Sequence, residues 1–166
     1  IRGWGNNKYK KTKKIKFNNI SKLQKFIKSN YNQVFLPRGM GRSYGDSSLS
    51  NIVIDLTGLN KIIKFNKEEG ILKVEGGTSF EKILKKIINS GWFLPVVAGT
   101  KYISIGGAVA SDIHGKNHYA NGCISKHIIE ISYIDKKGLI KKTNSSKEDF
   151  KAVCGGMGLI GVIVQL

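Results

Sequence analysis

The segment at residues 99–118, GTKYISIGGAVASDIHGKNH, constrains the fold of this chain more than any other feature of its sequence. Its small residues at 106–110 let a backbone pack flat against a broad partner, because glycine has no Cβ to hold two surfaces apart. Ser104 is placed to cap a short helix, which would leave the first N–H groups, around Gly106 and Gly107, free for an anion or a polar ring edge. A glycine-packed turn is the simpler interpretation, but the titratable residues that follow favour a cofactor site.

A second glycine-rich segment, PRGMGRSYGDS at 37–47, follows a predicted short buried strand at 34–36. Successive N–H groups in such a loop form a concave anion site, and glycine supplies the positive φ angles that this shape needs. Arg38 and Arg42 add positive charge. The segment therefore predicts a phosphate-binding loop, with a glycine-rich connection between strands as the alternative.

Hydrophobic periodicity and capping patterns outline the rest of the fold. Capping patterns at Ser21, Thr78 and Ser145 predict helices that run to about Ser29, Gly91 and Cys154. Strands are predicted at 34–36, 52–56, 62–65, 71–75, 128–134 and 139–143, with a last strand after Gly161. We expect an α+β fold of two lobes: a small sheet with helices up to about Gly76, and a larger, mostly antiparallel sheet beyond it, with a cofactor between them.

The charge of the chain raises the possibility of a nucleic-acid-binding module. Lys and Arg number 28 against 11 Asp and Glu, which gives a formal net charge of +17. The lysines are spread along the chain, however, and the one dense run at 8–16 carries no nucleic-acid motif. We therefore expect no nucleic-acid partner and keep a basic module that binds nucleic acid or another anion as an alternative. Residues 1–19 are expected to be an extended, weakly anchored basic segment before a domain at 20–166.

Two further patterns resemble a dinucleotide site and a zinc site, but their context and spacing do not fit. The GxGxxG pattern at 156–161 follows a predicted helix and precedes a predicted strand, which is the reverse of the dinucleotide fingerprint. His114, His118, Cys123 and His127 have no recognisable zinc-binding spacing, so we expect no metal. The two cysteines favour a reducing compartment such as the cytoplasm, with association at a membrane surface left open.

Three segments carry a resemblance to a known family: RGMGRSYGD at 38–46, GTKYISIGGAVASDIHGKNH at 99–118 and GGMGLIGVI at 155–163. Together they resemble the PCMH-type FAD-binding domain of the vanillyl-alcohol-oxidase superfamily. Within it the chain is most similar to the oxidases of decaprenylphosphoryl ribose, to which DIHGKNH is highly specific. The resemblance covers the whole chain, and it implies the two-lobed α+β fold that the residue patterns predict.

The resemblance implies that FAD is the cofactor and that the glycine-rich segments hold it. The implied FAD-binding residues are Pro37, Arg38, Gly39, Met40, Gly41, Arg42, Ser43, Tyr44, Gly45, Asp46, Ser47, Gly99, Ser104, Ile105, Gly106, Gly107, Ser111, Asp112, Ile113, His114 and Ile163. His114, Gly115 and Lys116 would lie at the flavin face where the sugar docks. Many superfamily members tether FAD through a histidine in the first loop, and Arg42 takes that place here, so the resemblance implies non-covalent FAD.

The resemblance also implies an activity, which is oxidation of the ribose of a polyprenyl phosphate to its 2′-keto form during synthesis of a cell-wall arabinan precursor. A reductase partner would complete the epimerisation. Oxidation of another sugar, an alditol or an aldonolactone is the alternative within the superfamily. We expect the chain to be an N-terminal fragment without its substrate domain, so its implied catalytic residues lie beyond Leu166.

Overall fold

The computed structural model describes residues 1–6 and 8–166, which form eight named strands and five α-helices. The strands are β1 (Lys13–Lys16), β2 (Leu36–Arg38), β3 (Ile52–Asp55), β4 (Ile62–Asn66), β5 (Ile71–Val74), β6 (Ile131–Ile134), β7 (Ile140–Thr143) and β8 (Val162–Gln165). The helices are α1 (Ile20–Ser29), α2 (Phe80–Ile87), α3 (Ile105–Ala110), α4 (His118–Asn121) and α5 (Glu148–Val153), with short 3₁₀ turns at Ile88–Ser90 and Ile124–His127. The mixed fold agrees with the predicted α+β class.

The first sheet is parallel and has the order β1-β3-β2. Its central strand is buried, with Val53 and Ile54 fully covered. Lys14 of β1 forms an ion pair of 2.9 Å with the buried Asp55 of β3. The expectation of a weakly anchored segment at 1–19 is therefore wrong for β1, because this strand and its ion pair fix the basic segment to the domain.

The second sheet is antiparallel, and backbone hydrogen bonds join two groups of strands within it. Strands β7, β6 and β8 lie side by side, and the β4–β5 hairpin continues the sheet beyond β8. Val74 and Leu166 exchange backbone hydrogen bonds of 2.9 and 3.0 Å, and Gly76 N–H donates to Val164 at 2.9 Å. The predicted boundary between lobes at Gly76 is thus misplaced, because pairing at the end of β8 draws the hairpin into the second sheet.

The hydrophobic core consists of two clusters on opposite faces of the second sheet. Along β8, Val162 and Val164 point to a cluster with α1 and the first sheet, while Ile163 points to a cluster with α2, α3 and α5. This alternation is what a strand buried on both faces requires. Strand β8 therefore joins the two lobes, and one face of it borders the site described below.

Helix starts differ from the predicted ones by one or two residues. Asn19 caps α1 by accepting the N–H of Lys22, and Ser79 caps α2 by accepting that of Lys82. Thr78, the predicted cap, is buried and donates instead to the carbonyl of Lys61. Gly91 ends the helical segment in the left-handed conformation, at φ 78°, as predicted.

Two strands are shifted from their predicted positions. β2 covers Leu36–Arg38 because its register follows β3, and Val34 is 85% exposed. β6 begins only at Ile131, since the chain leaves a 3₁₀ turn at His127 and Ile129 is exposed. Apolar residues alone thus placed β2 two residues too early and made β6 too long. Among the described residues no helix is long and apolar enough to cross a bilayer.

Candidate functional site

A cleft of about 460 Å³ lies between the two lobes and brings the three glycine-rich segments together. One wall is the loop at 37–48, and the opposite side is α3 with the residues before and after it. Met157, Gly158 and Gly161 from the segment before β8 complete the lining, together with Ile163 of β8. The cleft is the place where the sequence predicts a cofactor.

The loop wall has the features of an anion site. Gly41 and Gly45 both have φ of +64°, as the phosphate-loop prediction requires. Between Gly39 and Ser47, within the described chain, no backbone N–H donates a well-formed hydrogen bond to another protein group. Polar groups of a folded chain are normally paired, so these N–H groups are available to a ligand.

The two arginines of the loop have different roles. Arg38 Nη1 donates to the carbonyl and the hydroxyl of Ser48, both at 2.8 Å, and Nη2 donates to the carbonyl of Arg2 at 2.9 Å. Burial lowers the pKa of Arg38, with nearby Arg42 adding to that effect and Asp55 opposing it. Arg42 instead lies over the ring of Trp4, 4.5 Å from its centre. Arg38 therefore holds the loop in shape, while Arg42 keeps its hydrogen-bond donors for a ligand.

Glycine is required where the walls of the cleft approach each other. A Cβ on Gly39 would lie 2.9 Å from Cβ of Ser104, and a Cβ on Gly106 would lie 2.8 Å from the carbonyl oxygen of Gly76. Both distances are shorter than real Cβ contacts. The small residues of the sequence therefore serve close backbone packing around the cleft.

Helix α3 begins as predicted but does not present free N–H groups. Ser104 caps it and accepts the N–H of Gly107 at 3.3 Å. The N–H groups of Ile105 and Gly106 donate to the carbonyls of Thr78 and Gly76 at 2.8 and 2.7 Å. The expectation of free N–H donors at Gly106 and Gly107 is therefore wrong, because the carbonyl of Gly76 accepts the first and the hydroxyl of Ser104 accepts the second.

Most of the implied FAD-binding residues line the cleft. Those that do are Pro37, Arg38, Gly39, Met40, Gly41, Arg42, Ser43, Tyr44, Ser47, Gly99, Ser104, Gly106, Gly107, Ser111, Ile113 and Ile163. The implied site residues outside the lining are Gly45, Asp46, Ile105, Asp112, His114, Gly115 and Lys116. Of these, Asp46 is paired with Lys8 at 2.8 Å, and the side chain of Ile105 belongs to the core.

The turn after α3 is held by Asp112. Its carboxylate accepts hydrogen bonds from the N–H and the hydroxyl of Ser125, both at 3.0 Å, and its φ is +40°. Burial, with Asp112 nearby, raises the pKa of the Cys154 thiol to about 11, so this thiol is protonated at neutral pH. The ordering of this turn fixes the chain that continues to His114.

His114 is exposed and lies just outside the cleft, next to the lining residue Ile113. Its Nδ1 is 3.4 Å from the carbonyl oxygen of Gly115, and its ring centre is 5.2 Å from that of His118. Gly115 is buried, since a Cβ there would lie 2.7 Å from the side chain of Asn117. The turn thus leaves the imidazole accessible to solvent, one residue away from Ile113 in the cleft lining.

Sequence reasoning missed several lining residues, which are Trp4, Ser48, Leu56, Gly76, Ala98, Thr100, Ile103, Ala108, Ala110, Met157, Gly158 and Gly161. The last two belong to the GxGxxG pattern. It is not a dinucleotide fingerprint, since it follows α5 and precedes β8. A Cβ on Gly158 would nevertheless lie 3.0 Å from the ring of Pro37, so this glycine serves the cleft by close packing. For Trp4, the sequence does contain an indication of a packing role, which is its position between two glycines, Gly3 and Gly5.

The fold, the loop and the cleft define a nucleotide-cofactor domain, and comparison with known proteins identifies its class. A family model described as an FAD binding domain matches residues 15–144, and the chain belongs to this family. FAD is accordingly its cofactor. Several of the relatives found are named as oxidases or dehydrogenases, which makes this a family of FAD-binding oxidoreductases.

Individual relatives share the domain at moderate identity. Decaprenylphosphoryl-beta-D-ribose oxidase of Mycolicibacterium smegmatis is 33% identical over 135 residues, which are 78% of this chain and 29% of that protein. D-arabinono-1,4-lactone oxidase of Candida glabrata is 26% identical over 140 residues, 80% of this chain and 26% of that protein. The chain thus spans between a quarter and a third of the length of these relatives.

A solved structure shows the same fold. Alkyldihydroxyacetonephosphate synthase superposes with a TM-score of 0.78 at 17% identity, over 92% of this chain and 29% of that one. The residues present fit FAD. The loop offers free N–H donors and an arginine to a diphosphate, and the glycine-lined side of the cleft leaves room for flat rings.

Proposed function

We propose that this chain is the cofactor-holding part of an oxidase that acts on a CH–OH group of a sugar, and that the sugar is the ribose of a polyprenyl phosphate. The observation that carries the proposal is the row of N–H groups at 39–44 along the cleft wall that donate no well-formed hydrogen bond to the described protein, because an FAD diphosphate needs such donors. The choice of substrate is supported by the M. smegmatis relative and by the DIHGKNH segment.

In this proposal the loop binds the diphosphate through its N–H groups, and Arg42 adds charge. Gly99, Ser111 and Ile113 line another part of the cleft and would lie along the rings. Bound FAD supplies the hydride acceptor for oxidation of the sugar carbinol carbon. The protein positions the cofactor, and Arg42 in place of a tethering histidine makes the attachment non-covalent.

The sugar is proposed to dock at the end of the cleft next to Ile113, where His114, Gly115 and Lys116 lie. The exposed imidazole of His114 and the ammonium of Lys116 can hydrogen-bond sugar hydroxyls or the phosphate of the substrate. Gly115 is buried and serves this end by letting Asn117 pack closely under the turn that presents His114 and Lys116. A general base is not assigned to this chain.

Two proposed partners follow from this substrate. The keto product requires a reductase to complete an epimerisation at the same carbon. A polyprenyl chain requires a lipid phase, which a protein of net charge +17 would approach through anionic headgroups.

The test is reduction of the flavin by candidate substrates without oxygen. The full-length protein is mixed in a stopped-flow instrument with a short-chain polyprenylphosphoryl ribose, D-arabinono-1,4-lactone or D-lactate, and the loss of flavin absorbance is followed. We expect the ribose lipid to reduce the flavin with the largest kcat/KM. Faster reduction by the lactone would favour the second candidate, an aldonolactone oxidase, which the C. glabrata relative supports.

Two controls keep the test specific. Ribose 5-phosphate tests whether the lipid chain contributes to recognition. An oligonucleotide titration tests the basic-module alternative, and tight binding of the oligonucleotide by a preparation that contains no flavin would contradict the proposed function.

A further inference from the structure

Residues 1–6 and 8–10 form a small antiparallel pair that lies on the glycine loop. Arg2 and Tyr9 form an antiparallel bridge, and the N–H of Lys10 donates to the carbonyl of Ile1 at 2.9 Å. Asn6 has a φ of 58°, and its N–H donates to the carbonyl of Gly3 at 3.1 Å, which turns the chain. We call residues 1–6 and 8–10 the N-terminal clamp.

Three contacts attach the clamp to the loop at 37–48. The carbonyl of Arg2 accepts a hydrogen bond from Arg38, and Lys8 forms an ion pair of 2.8 Å with Asp46. Gly3 packs against the loop backbone so closely that a Cβ there would lie 2.7 Å from the carbonyl oxygen of Gly45. The clamp and the phosphate-binding loop are therefore one connected unit.

The clamp places one aromatic ring in the cleft. Trp4 lines the cleft beside the loop and is 48% exposed, and the guanidinium of Arg42 lies 4.5 Å from its ring centre. Among the described residues, Arg42 forms no ion pair and donates no side-chain hydrogen bond, whereas Arg38 donates three. The indole face is thus the contact that orients Arg42, and it leaves all five donors of the guanidinium unused.

From these contacts we propose that the N-terminal clamp is part of the FAD site and that Trp4 is a positioning residue, which holds the Arg42 guanidinium against the FAD diphosphate. A flexible arginine loses side-chain freedom when it binds an anion, and a ring that already holds the guanidinium in place lowers that cost. The nearby Arg38 carries the same charge, so a bound anion would also relieve the repulsion between the two arginines. The proposal rests on FAD binding in the cleft and does not depend on which sugar is oxidised.

Removal of the Trp4 ring should change the rate at which FAD dissociates. Loss of an arginine–indole contact in a partly desolvated site should speed FAD dissociation about five- to thirtyfold, which corresponds to about 1–2 kcal/mol. Trp4→Leu keeps apolar bulk and removes the ring, while Trp4→Phe keeps a weaker aromatic face. We expect Trp4→Phe to release FAD at a rate between those of Trp4→Leu and the wild type.

The experiment measures FAD release from the full-length FAD-bound protein as a rise in free-flavin fluorescence after dilution. Four variants are compared with the wild type: Trp4→Leu, Trp4→Phe, Arg42→Gln and the double variant Trp4→Leu with Arg42→Gln. Tyr9→Leu is the matched control, since Tyr9 is an exposed aromatic of the same clamp that does not line the cleft. Melting of each apoprotein is recorded to detect any loss of folding.

If Trp4 acts through Arg42, the double variant releases FAD no faster than Arg42→Gln alone, and Tyr9→Leu behaves as the wild type. A Trp4→Leu protein that keeps the wild-type release rate overturns the proposal. So does a Trp4→Leu effect of undiminished size in the Arg42→Gln background, because Trp4 would then act independently of Arg42. A lower melting temperature of the Trp4→Leu apoprotein, with no return towards wild-type FAD release in Trp4→Phe, would instead show that Trp4 only supports folding.

Discussion

Replacement of Gly41 by alanine tests whether the loop wall is the diphosphate site, and Gly45→Ala is a matched control. Both glycines have φ of +64°, so alanine at either position carries the same conformational cost of about 1–2 kcal/mol. Their surroundings differ. A Cβ on Gly41 would run into the guanidinium of Arg38, whereas a Cβ on Gly45 meets nothing within 4 Å.

The size of the Gly41→Ala effect follows from what Arg38 would lose. Its guanidinium can move aside, but it is held by three hydrogen bonds to Ser48 and Arg2. A hydrogen bond to a charged group contributes about 1.5–3 kcal/mol, so loss of one of them raises the total to about 2.5–5 kcal/mol. At about 1.4 kcal/mol per tenfold change, FAD should bind about 60- to 4,000-fold more weakly in Gly41→Ala. Gly45→Ala should weaken FAD binding by only about 5- to 30-fold.

These costs should appear in FAD binding more than in folding, because the loop contributes no residue to either hydrophobic cluster. The assay is titration of each apoprotein with FAD, followed by flavin fluorescence, with circular dichroism to confirm that the variants fold. Wild-type affinity in a folded Gly41→Ala protein would refute the assignment of the loop. Equal losses in the two variants would refute the anchoring role of Arg38.

Three further predictions concern the tether, the substrate end and acid stability. Acid denaturation of the FAD-bound protein followed by ultrafiltration should put all flavin in the filtrate, since Arg42 stands where a tethering histidine would be; yellow protein on the filter would contradict this. His114→Ala in the full-length enzyme should retain its flavin absorbance but have a lower kcat or a higher KM, because His114 lies beside the cleft lining and not in it. Loss of flavin would show a structural role. Burial alone would raise the pKa of Asp55, but hydrogen bonds from Thr57 and Lys14 outweigh it and hold the pKa below its usual value. That stabilisation is present above the unfolded value of about 3.9 and is lost as pH falls through the lower folded pKa. Asp55→Asn should therefore be less stable than wild type at pH 7 and should lose less stability below about pH 4, as urea unfolding at several pH values would measure.

Local structure was predictable where the controlling contacts are close in sequence. The positive φ of Gly41 and Gly45, the Ser104 cap and the left-handed Gly91 all follow from the properties of single residues and their neighbours. The class of fold and the position of the glycine loop followed from the same patterns. The remaining errors concern ends of elements, where burial and strand register decide.

Long-range pairing was not predictable from one sequence. Nothing near Val74 indicates that Leu166 will pair with it, and nothing near Lys14 indicates the buried Asp55. The same is true of the carbonyls of Gly76 and Thr78, which occupy the first N–H groups of α3. A capping residue followed by glycines predicts free N–H donors only if no carbonyl from another part of the chain accepts them. The sequence does not show which part of the chain will supply such a carbonyl.

The two glycine-rich segments differ in whether their backbone N–H groups are already hydrogen-bonded within the protein. Around α3, glycines let backbone pack on backbone, as Gly106 does on Gly76, and the donors there are used up. In the loop at 37–47, Gly41 and Gly45 instead bend the chain so that its N–H groups remain unpaired. Charge recognition is therefore concentrated in one wall of the cleft, next to Arg42 and Trp4. The opposite wall has few free donors and little side-chain bulk, which suits the broad, flat surface of a ring system, so glycine would serve the diphosphate and the rings of one cofactor for different physical reasons.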